Sequence, residues 1–263
     1  SSRLRALRST DAVALAAAPR EYTDTVKPVV AVLGSGSWGT ALAVHLARTG
    51  HRTVLWGIET EELNAMARNR VNRRYLPGIE LPDGLEIEHD FARAVTGADE
   101  LLVVVPSHAF REVLERIRPL LRAGQGVAWA TKGFELSTGT LPHAVAAEVL
   151  GPTVPTAVLS GPTFAKEVGA GLPSAMTVAS RDGDYAMALA RSISSETFRA
   201  YASDDMIGVE VGGATKNVLA IGAGVSDGLG FGANTRVARM TRGLSERMRL
   251  GVARGADRAP PMG

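Results

Sequence analysis

The run VVAVLGSGSWGTALAVHLARTG at residues 29–50 constrains this chain more than any other stretch. Five apolar residues lead into glycines spaced Gly-x-Gly-x-x-Gly, and a stretch with the look of an apolar helix follows, ending at Gly50. Each glycine has a separate physical task. Gly34 permits the tight turn out of a strand, Gly36 lets backbone approach a pyrophosphate, and Gly39 lets helix and strand pack closely. The N-terminus of the following helix attracts the anion. The spacing by itself also fits a purely structural strand–helix turn. The strand before it and the helix after it point to dinucleotide binding.

The rest of the chain repeats this theme. RTVLWG (52–57), LEIEH (85–89), LLVVV (101–105), GVAWAT (126–131) and TAVLSG (156–161) read as strands, most of them followed by helical stretches. Strand, helix, strand at this spacing implies right-handed crossovers and a mostly parallel sheet, a Rossmann-like doubly wound α/β fold. AMTVAS (175–180) and FRAYAS (198–203) extend the sheet. From about residue 205 to 254 only helix and glycine-containing turns remain. The expected division is therefore a disordered leader at 1–27, a dinucleotide-binding domain at 28–205 and a partial, all-helical substrate domain at 206–263.

Composition removes several function classes. The 263 residues are 45% hydrophobic and 21% charged with a net charge of +2, and no basic stripe interleaves with aromatics, which argues against a nucleic-acid partner. The absence of cysteine excludes disulfides and thiol chemistry. The five histidines are scattered without ligand-like spacing, so no metal site is expected. The most apolar long stretch, 206–225, holds Glu210 and Lys216 and is rich in glycine, which speaks against a membrane span. The expectation is a cytoplasmic protein.

Candidate side chains gather at strand ends, where open parallel sheets bind ligands. Glu59 follows the second strand, where a carboxylate could bond a ribose hydroxyl or simply open a helix. Lys132 follows GVAWAT and suits an anionic substrate, or is an ordinary strand-end lysine. Gly161 and Thr163 sit in SGPTFAKEV where the backbone turns into a helix, so they face the crevice, cap the helix, or do both. His108 is a further strand-end group. Lys216 stands among small residues in VGGATKNVLAIGAG. On a helix over 207–224, Gly212, Gly213 and Ala220 share its face, leaving a groove, while Val211, Val218, Leu219 and Ile221 take the packing side. The alternative is a lysine that reaches solvent along the helix edge.

Seven segments occur in a fixed order: GSGSWGTALA, NRRYLPG (72–78), VVVPSH, ATKG, SGPTFAKEV, GGATKNVLAIGAG and GLGFGANTR. Together, from about residue 28 to about 257, they resemble the bacterial-type NAD(P)-dependent glycerol-3-phosphate dehydrogenases. The resemblance implies reversible hydride transfer between sn-glycerol 3-phosphate and dihydroxyacetone phosphate, with NAD or NADP as cofactor. In the reductive direction this makes the glycerol phosphate of phospholipids. It implies that Lys216 is the proton acceptor and that Lys132 touches both cofactor and the small phosphorylated substrate. Gly161, Thr163 and Asn217 fall on the substrate side; Ser37, Trp38 and Ala165 fall on the cofactor. It also implies a homodimer paired through the helical domain where that domain is complete.

Two departures stand out. Where the family often has Arg or His for an NADP 2′-phosphate, this chain has Ile58. The family also continues beyond the position of Gly263 with a Gly-Leu-Gly-Asp and an Arg-Asn-Arg segment, which support the lysine and hold the phosphate. The expectation is a chain shortened at that end, with helices after residue 206 left with exposed apolar surface and no guanidinium for the phosphate. Cofactor binding would then survive better than catalysis. Two rivals follow: a catalytically incomplete nucleotide-binding remnant, and a related dehydrogenase for another small hydroxy acid.

Overall fold

The computed structural model describes Ala14–Leu15 and residues 27–256. The strands among them are β1 Ala14–Leu15, β2 Val30–Leu33, β3 Thr53–Trp56, β4 Leu85–Glu88, β5 Glu100–Val103, β6 Gly126–Trp129, β7 Thr156–Ser160, β8 Ser174–Ala179 and β9 Phe198–Ser203. They form one sheet in the order β1-β9-β8-β7-β6-β5-β2-β3-β4. The six strands from β7 to β4 are parallel, and their order is that of a doubly wound dinucleotide fold with its switch point between β2 and β5. β8 runs antiparallel to β7, and β9 runs parallel to β8. The leader expected at 1–27 lies outside the described residues except for Lys27 and β1, which pairs antiparallel with β9.

Helices α1 Ser37–Arg48, α2 Thr60–Asn69, α3 Phe91–Thr96, α4 Ser107–Ile117, α5 Pro142–Leu150, α6 Ala165–Gly169 and α7 Gly183–Ile193 connect these strands. The parallel strands are apolar on both faces, so each face needs its own helical layer. Val30 and Val32 look toward Leu42 and Leu46 of α1, and Ala186 and Ile193 of α7 join the same cluster. Ala31 and Leu33 belong to the opposite cluster, with Phe110, Leu114 and Ile117 of α4 and Val145 of α5. Each large apolar side chain buried this way contributes about 1.5–3 kcal/mol.

Helices α3, α5 and α7 carry signals in the sequence that periodicity alone passes over. Asp90 and Asp182 cap α3 and α7 by accepting from Arg93 N and Tyr185 N. Pro142 occupies the first turn of α5, where its missing N–H costs nothing.

Beyond β9 the chain is helical: α8 Met206–Gly228 and α9 Ala233–Ala253 pack against each other. Val211 is buried as expected, but Val218 and Ile221 are exposed and belong to no packing face. Val225, Val237, Met240 and Leu244 of the same helix pair are exposed as well. Among the described residues no helix is long and apolar enough to cross a membrane.

Candidate active site

The turn out of β2 is built as the glycine spacing predicts. Gly34 has φ of 130°, a conformation natural only to glycine, and any side chain there would run into the carbonyl oxygen of Val104. A side chain at Gly39 would strike the Gly34 carbonyl. Gly36 differs: a Cβ built on it meets nothing within 4 Å. Packing does not require that glycine, and the space in front of it is open. Ser37 and Trp38 open α1, and no side chain caps that helix. Asn72, fully buried, holds the loop from below: its Nδ2 donates to the Ser35 carbonyl at 2.9 Å and to Thr40 Oγ1 at 2.8 Å.

Behind the end of β3, Glu59 does not stand free for a ribose. Its carboxylate accepts from Arg74 Nη1 at 2.9 Å and from the Tyr75 hydroxyl at 2.8 Å. That hydrogen bond holds the Tyr75 phenol above its ordinary range. Ile58 beside it is 80% exposed. Arg70 is committed to the backbone, donating to the Pro82 and Leu85 carbonyls.

Lys132 follows β6 by three residues. Thr131 Oγ1 donates to the Val105 carbonyl at 2.8 Å, tying the ends of β5 and β6 together just before it. The Lys132 ammonium lies 5.9 Å from the centre of the Trp38 ring. Burial pushes its pKa down, and the charge of Lys216 pushes it further. The loop after it is anchored by Arg111, which forks onto Glu135 at 2.7 and 3.1 Å and onto Glu148 at 2.9 and 3.0 Å.

Gly161 and Thr163 follow β7. Gly161 is required by packing, since a Cβ there would sit 2.7 Å from the Ala175 carbonyl on β8. Thr163 does not cap α6; Phe164 holds that position. Among the described residues the Thr163 hydroxyl and the Trp38 indole N–H are buried without a hydrogen-bond partner, which suits a polar ligand lying between the loop and α1. Ala165 begins α6, which packs on α1.

Lys216 reaches the same end of the sheet from α8. The helix is fixed two turns earlier by Glu210, whose buried carboxylate accepts from Trp129 Nε1 at 3.0 Å and from His143 N at 2.9 Å. Gly213 lies against β7, where a Cβ would come within 2.8 Å of Ser160 Oγ. Lys216 is half-buried, with its ammonium 5.4 Å from the Phe164 ring centre. It opens into a groove bounded by Ser160, Gly161, Thr177, Gly212, Gly213 and Arg247. Thus Lys216, Gly161 and Gly213 share one groove, with Lys132 against its wall. Asn217 is exposed and does not line it, and His108 is exposed on α4. Sequence reading missed Asn72, Glu210 and Arg247. The last lines the groove beside Lys216.

Comparison with known proteins agrees with this architecture. The chain matches the family described as NAD-dependent glycerol-3-phosphate dehydrogenase, its N-terminus over residues 29–186 and its C-terminus over 205–263. The second match runs past residue 257, where the resemblance was expected to stop. A relative from Actinobacillus pleuropneumoniae named NAD(P)+ glycerol-3-phosphate dehydrogenase is 53% identical over 235 residues, which is 89% of this chain and 70% of the relative. One of the same name from Xanthomonas campestris pv. campestris is 53% identical over 89% of this chain and 69% of its own length. The crystal structure of glycerol-3-phosphate dehydrogenase from Coxiella burnetii superposes with a TM-score of 0.86 at 44% identity, over 91% of this chain and 73% of that one. GPD1 from Saccharomyces cerevisiae gives 0.76 at 26% identity, over 89% and 73%. By these matches over most of its length, the chain belongs to the NAD-dependent glycerol-3-phosphate dehydrogenase family.

Proposed function

We propose that this chain interconverts sn-glycerol 3-phosphate and dihydroxyacetone phosphate with NAD(H) or NADP(H), supplying the glycerol phosphate of phospholipids in the cytoplasm. Residues 28–205 carry the dinucleotide in this reading, and the helices after 206 carry the substrate. The supporting observation is the meeting of Lys216 with Lys132 beside the glycine loop. Alone, one is a lysine just past a strand end and the other a half-buried lysine midway along α8; together they give an electropositive corner where dinucleotide and phosphorylated substrate meet.

The residues present fit the cofactor. The bare Gly36 backbone, the uncapped start of α1 at Ser37 and Trp38, and the unpartnered Trp38 indole would hold it, with Ala165 closing the far side. When bound, the nicotinamide supplies or accepts the hydride. Lys216 moves the accompanying proton at its Nζ, giving it to the carbonyl oxygen during reduction and taking it from the hydroxyl during oxidation. Lys132 places positive charge between cofactor and substrate. The buried Thr163 hydroxyl adds a hydrogen-bonding group behind the loop, while Asn217, exposed beside Lys216, takes no part in the groove.

Oxidation of NADH and NADPH by the purified chain, with dihydroxyacetone phosphate present and absent, tests this. Substrate-dependent oxidation is expected. Fluorescence titration showing cofactor bound, with no oxidation on adding the substrate, overturns the catalytic reading and leaves a nucleotide-binding protein.

A further inference from the structure

Lys132 is followed by Gly133, whose φ of 107° only glycine holds without strain. Beyond that joint, residues 134–140 form a loop that closes on itself. Glu135 N donates to the Thr140 carbonyl at 2.9 Å, and Gly139 N donates to the Glu135 carbonyl at 2.8 Å. Thr138 Oγ1 donates to the Glu135 carboxylate at 2.6 Å. A loop bonded in this way moves as one piece about Gly133. Whatever holds it also fixes the chain on the C-terminal side of Lys132.

Two arginines hold it, from different parts of the fold. Arg111 of α4 grips Glu135 from the side of the sheet. Arg254, the residue that ends α9, grips the loop from the helix pair. Its Nη1 donates to the Gly139 carbonyl at 3.1 Å, 115 residues earlier in the chain. Its guanidinium lies 5.6 Å from the centre of the half-buried Phe134 ring. A guanidinium donates in its plane and stacks through its face, so the two contacts do not compete. Other arginines of α9 have partners nearer home. Arg236 pairs with Asp227, Arg242 and Arg249 face Glu246, and Arg239 lies over the Phe231 ring. Those contacts stay within residues 206–253, whereas Arg254 reaches across to the loop after β6.

We infer that Arg254 is a positioning residue for Lys132: it latches the loop after β6 to the end of α9, so that the helix pair carrying Lys216 also sets where Lys132 stands. This rests on the reaction proposed above and adds a residue to it. Lys132 comes from a strand end and Lys216 from α8, and the latch closes a circuit between them through α9 and the loop. Arg254 does not line the groove of Lys216. Its loss should therefore be felt in substrate affinity without removing a reacting group.

Steady-state kinetics with NADH and dihydroxyacetone phosphate, paired with hydrogen exchange, test the latch. Arg254→Ala should raise KM for dihydroxyacetone phosphate about three- to tenfold, with kcat and NADH affinity within about twofold. Arg254→Lys keeps a cation over Phe134 and a donor for Gly139, and should recover most of the loss. Phe134→Leu keeps bulk but loses the ring face, and should fall between the two. Exchange of the Glu135 and Gly139 amides should quicken about three- to tenfold in Arg254→Ala, while the α4 amides keep their rates. Unchanged KM or unchanged loop exchange in that variant overturns the latch. So does an equal loss of kcat, substrate affinity and NADH affinity, or a lysine variant no better than alanine. A wild-type chain without turnover on dihydroxyacetone phosphate overturns the substrate assignment instead; the loop exchange rates then uphold the latch by quickening or overturn it by staying the same.

Discussion

Glu210 Oε2 lies 2.6 Å from Nδ1 of His143, so a carboxylate on α8 is locked to the start of α5 six residues before Lys216. The same carboxylate takes the Trp129 indole N–H from the floor of the sheet. This buried cluster sets how far α8 rises above the crevice. At about 1.5 Å per residue, six residues lift Lys216 roughly 9 Å above the anchor.

Removing that anchor strands several donors at once. Glu210→Ala should leave the Trp129 indole, the His143 amide and the His143 ring unpaired in a dry site. Each orphan costs about 1–3 kcal/mol, so a total loss near 2–4 kcal/mol is expected after local relaxation. Urea denaturation of the variant checks it. A change below about 0.5 kcal/mol would mean that the cluster does not hold α8.

The glycines of the loop separate packing from ligand approach. Gly34→Ala forces a left-handed backbone on alanine and drives its methyl into the Val104 carbonyl, and should cost at least about 1–3 kcal/mol of stability. Gly36→Ala meets open space at an ordinary φ of −68°, so stability should hold or rise slightly. Its dinucleotide affinity should nevertheless fall markedly. Thermal melts with and without NADH distinguish the two, and a Gly36→Ala chain that binds NADH normally would remove that residue from the cofactor site.

Lys216→Met keeps the stem and removes the proton carrier. Turnover should drop by about 10²–10⁴, as for loss of a general acid–base group, while cofactor affinity stays within a few fold. Near-normal turnover would take Lys216 out of the mechanism.

Lys132 brings a pH dependence of its own. Its folded pKa lies below that of a free lysine, so it loses its charge earlier as pH rises. Affinity for the phosphorylated substrate should begin to fall at a lower pH than ordinary lysines would dictate. Lys132→Arg should move that limb upward. For stability the sign is opposite: holding the buried ammonium protonated opposes folding, and the penalty lifts as pH rises through the lowered value. Substrate affinity measured against pH in both proteins checks the first effect, and identical alkaline limbs would refute it.

On the acid side, Glu135 is held at a pKa of about 2, first by its hydrogen bonds from Arg111. A depressed carboxylate contributes stability above its unfolded value near 4.3, and that contribution is lost as pH falls toward 2. Glu135→Gln should flatten the acid limb of the thermal midpoint between those values. An unchanged limb would show that the Arg111 fork does not pin the loop after Lys132.

Much of this was legible because its signals are local. Strands β2, β5, β6 and β7 announce themselves as short apolar runs, β4 and β9 more faintly because charged residues alternate into them, and Gly34 and Gly39 stand out as a turn and a close contact. Lys216 was conspicuous because its neighbours are small. The rest depends on helices crossing. Arg247 reads as one more charge on a polar helix, and only the crossing of α9 over Gly212 sets it apart from Arg242 or Arg249. Glu210 gives no hint of His143, which lies 67 residues away. Val218 and Ile221 look like packing residues in a helix whose burial periodicity is broken, and the fold leaves them outside.

The reversal of β8 and β9 relative to β7 also decides where α8 begins. Those two strands bring the chain back beneath the crevice, and α8 must start there to climb past Ser160 with Lys216 on its upward side. On a ribosome, every strand that frames the glycine loop emerges before the lysine is made, and early segments fold as units while later ones are still being translated. The last helices are therefore added to a sheet whose strands have all been made.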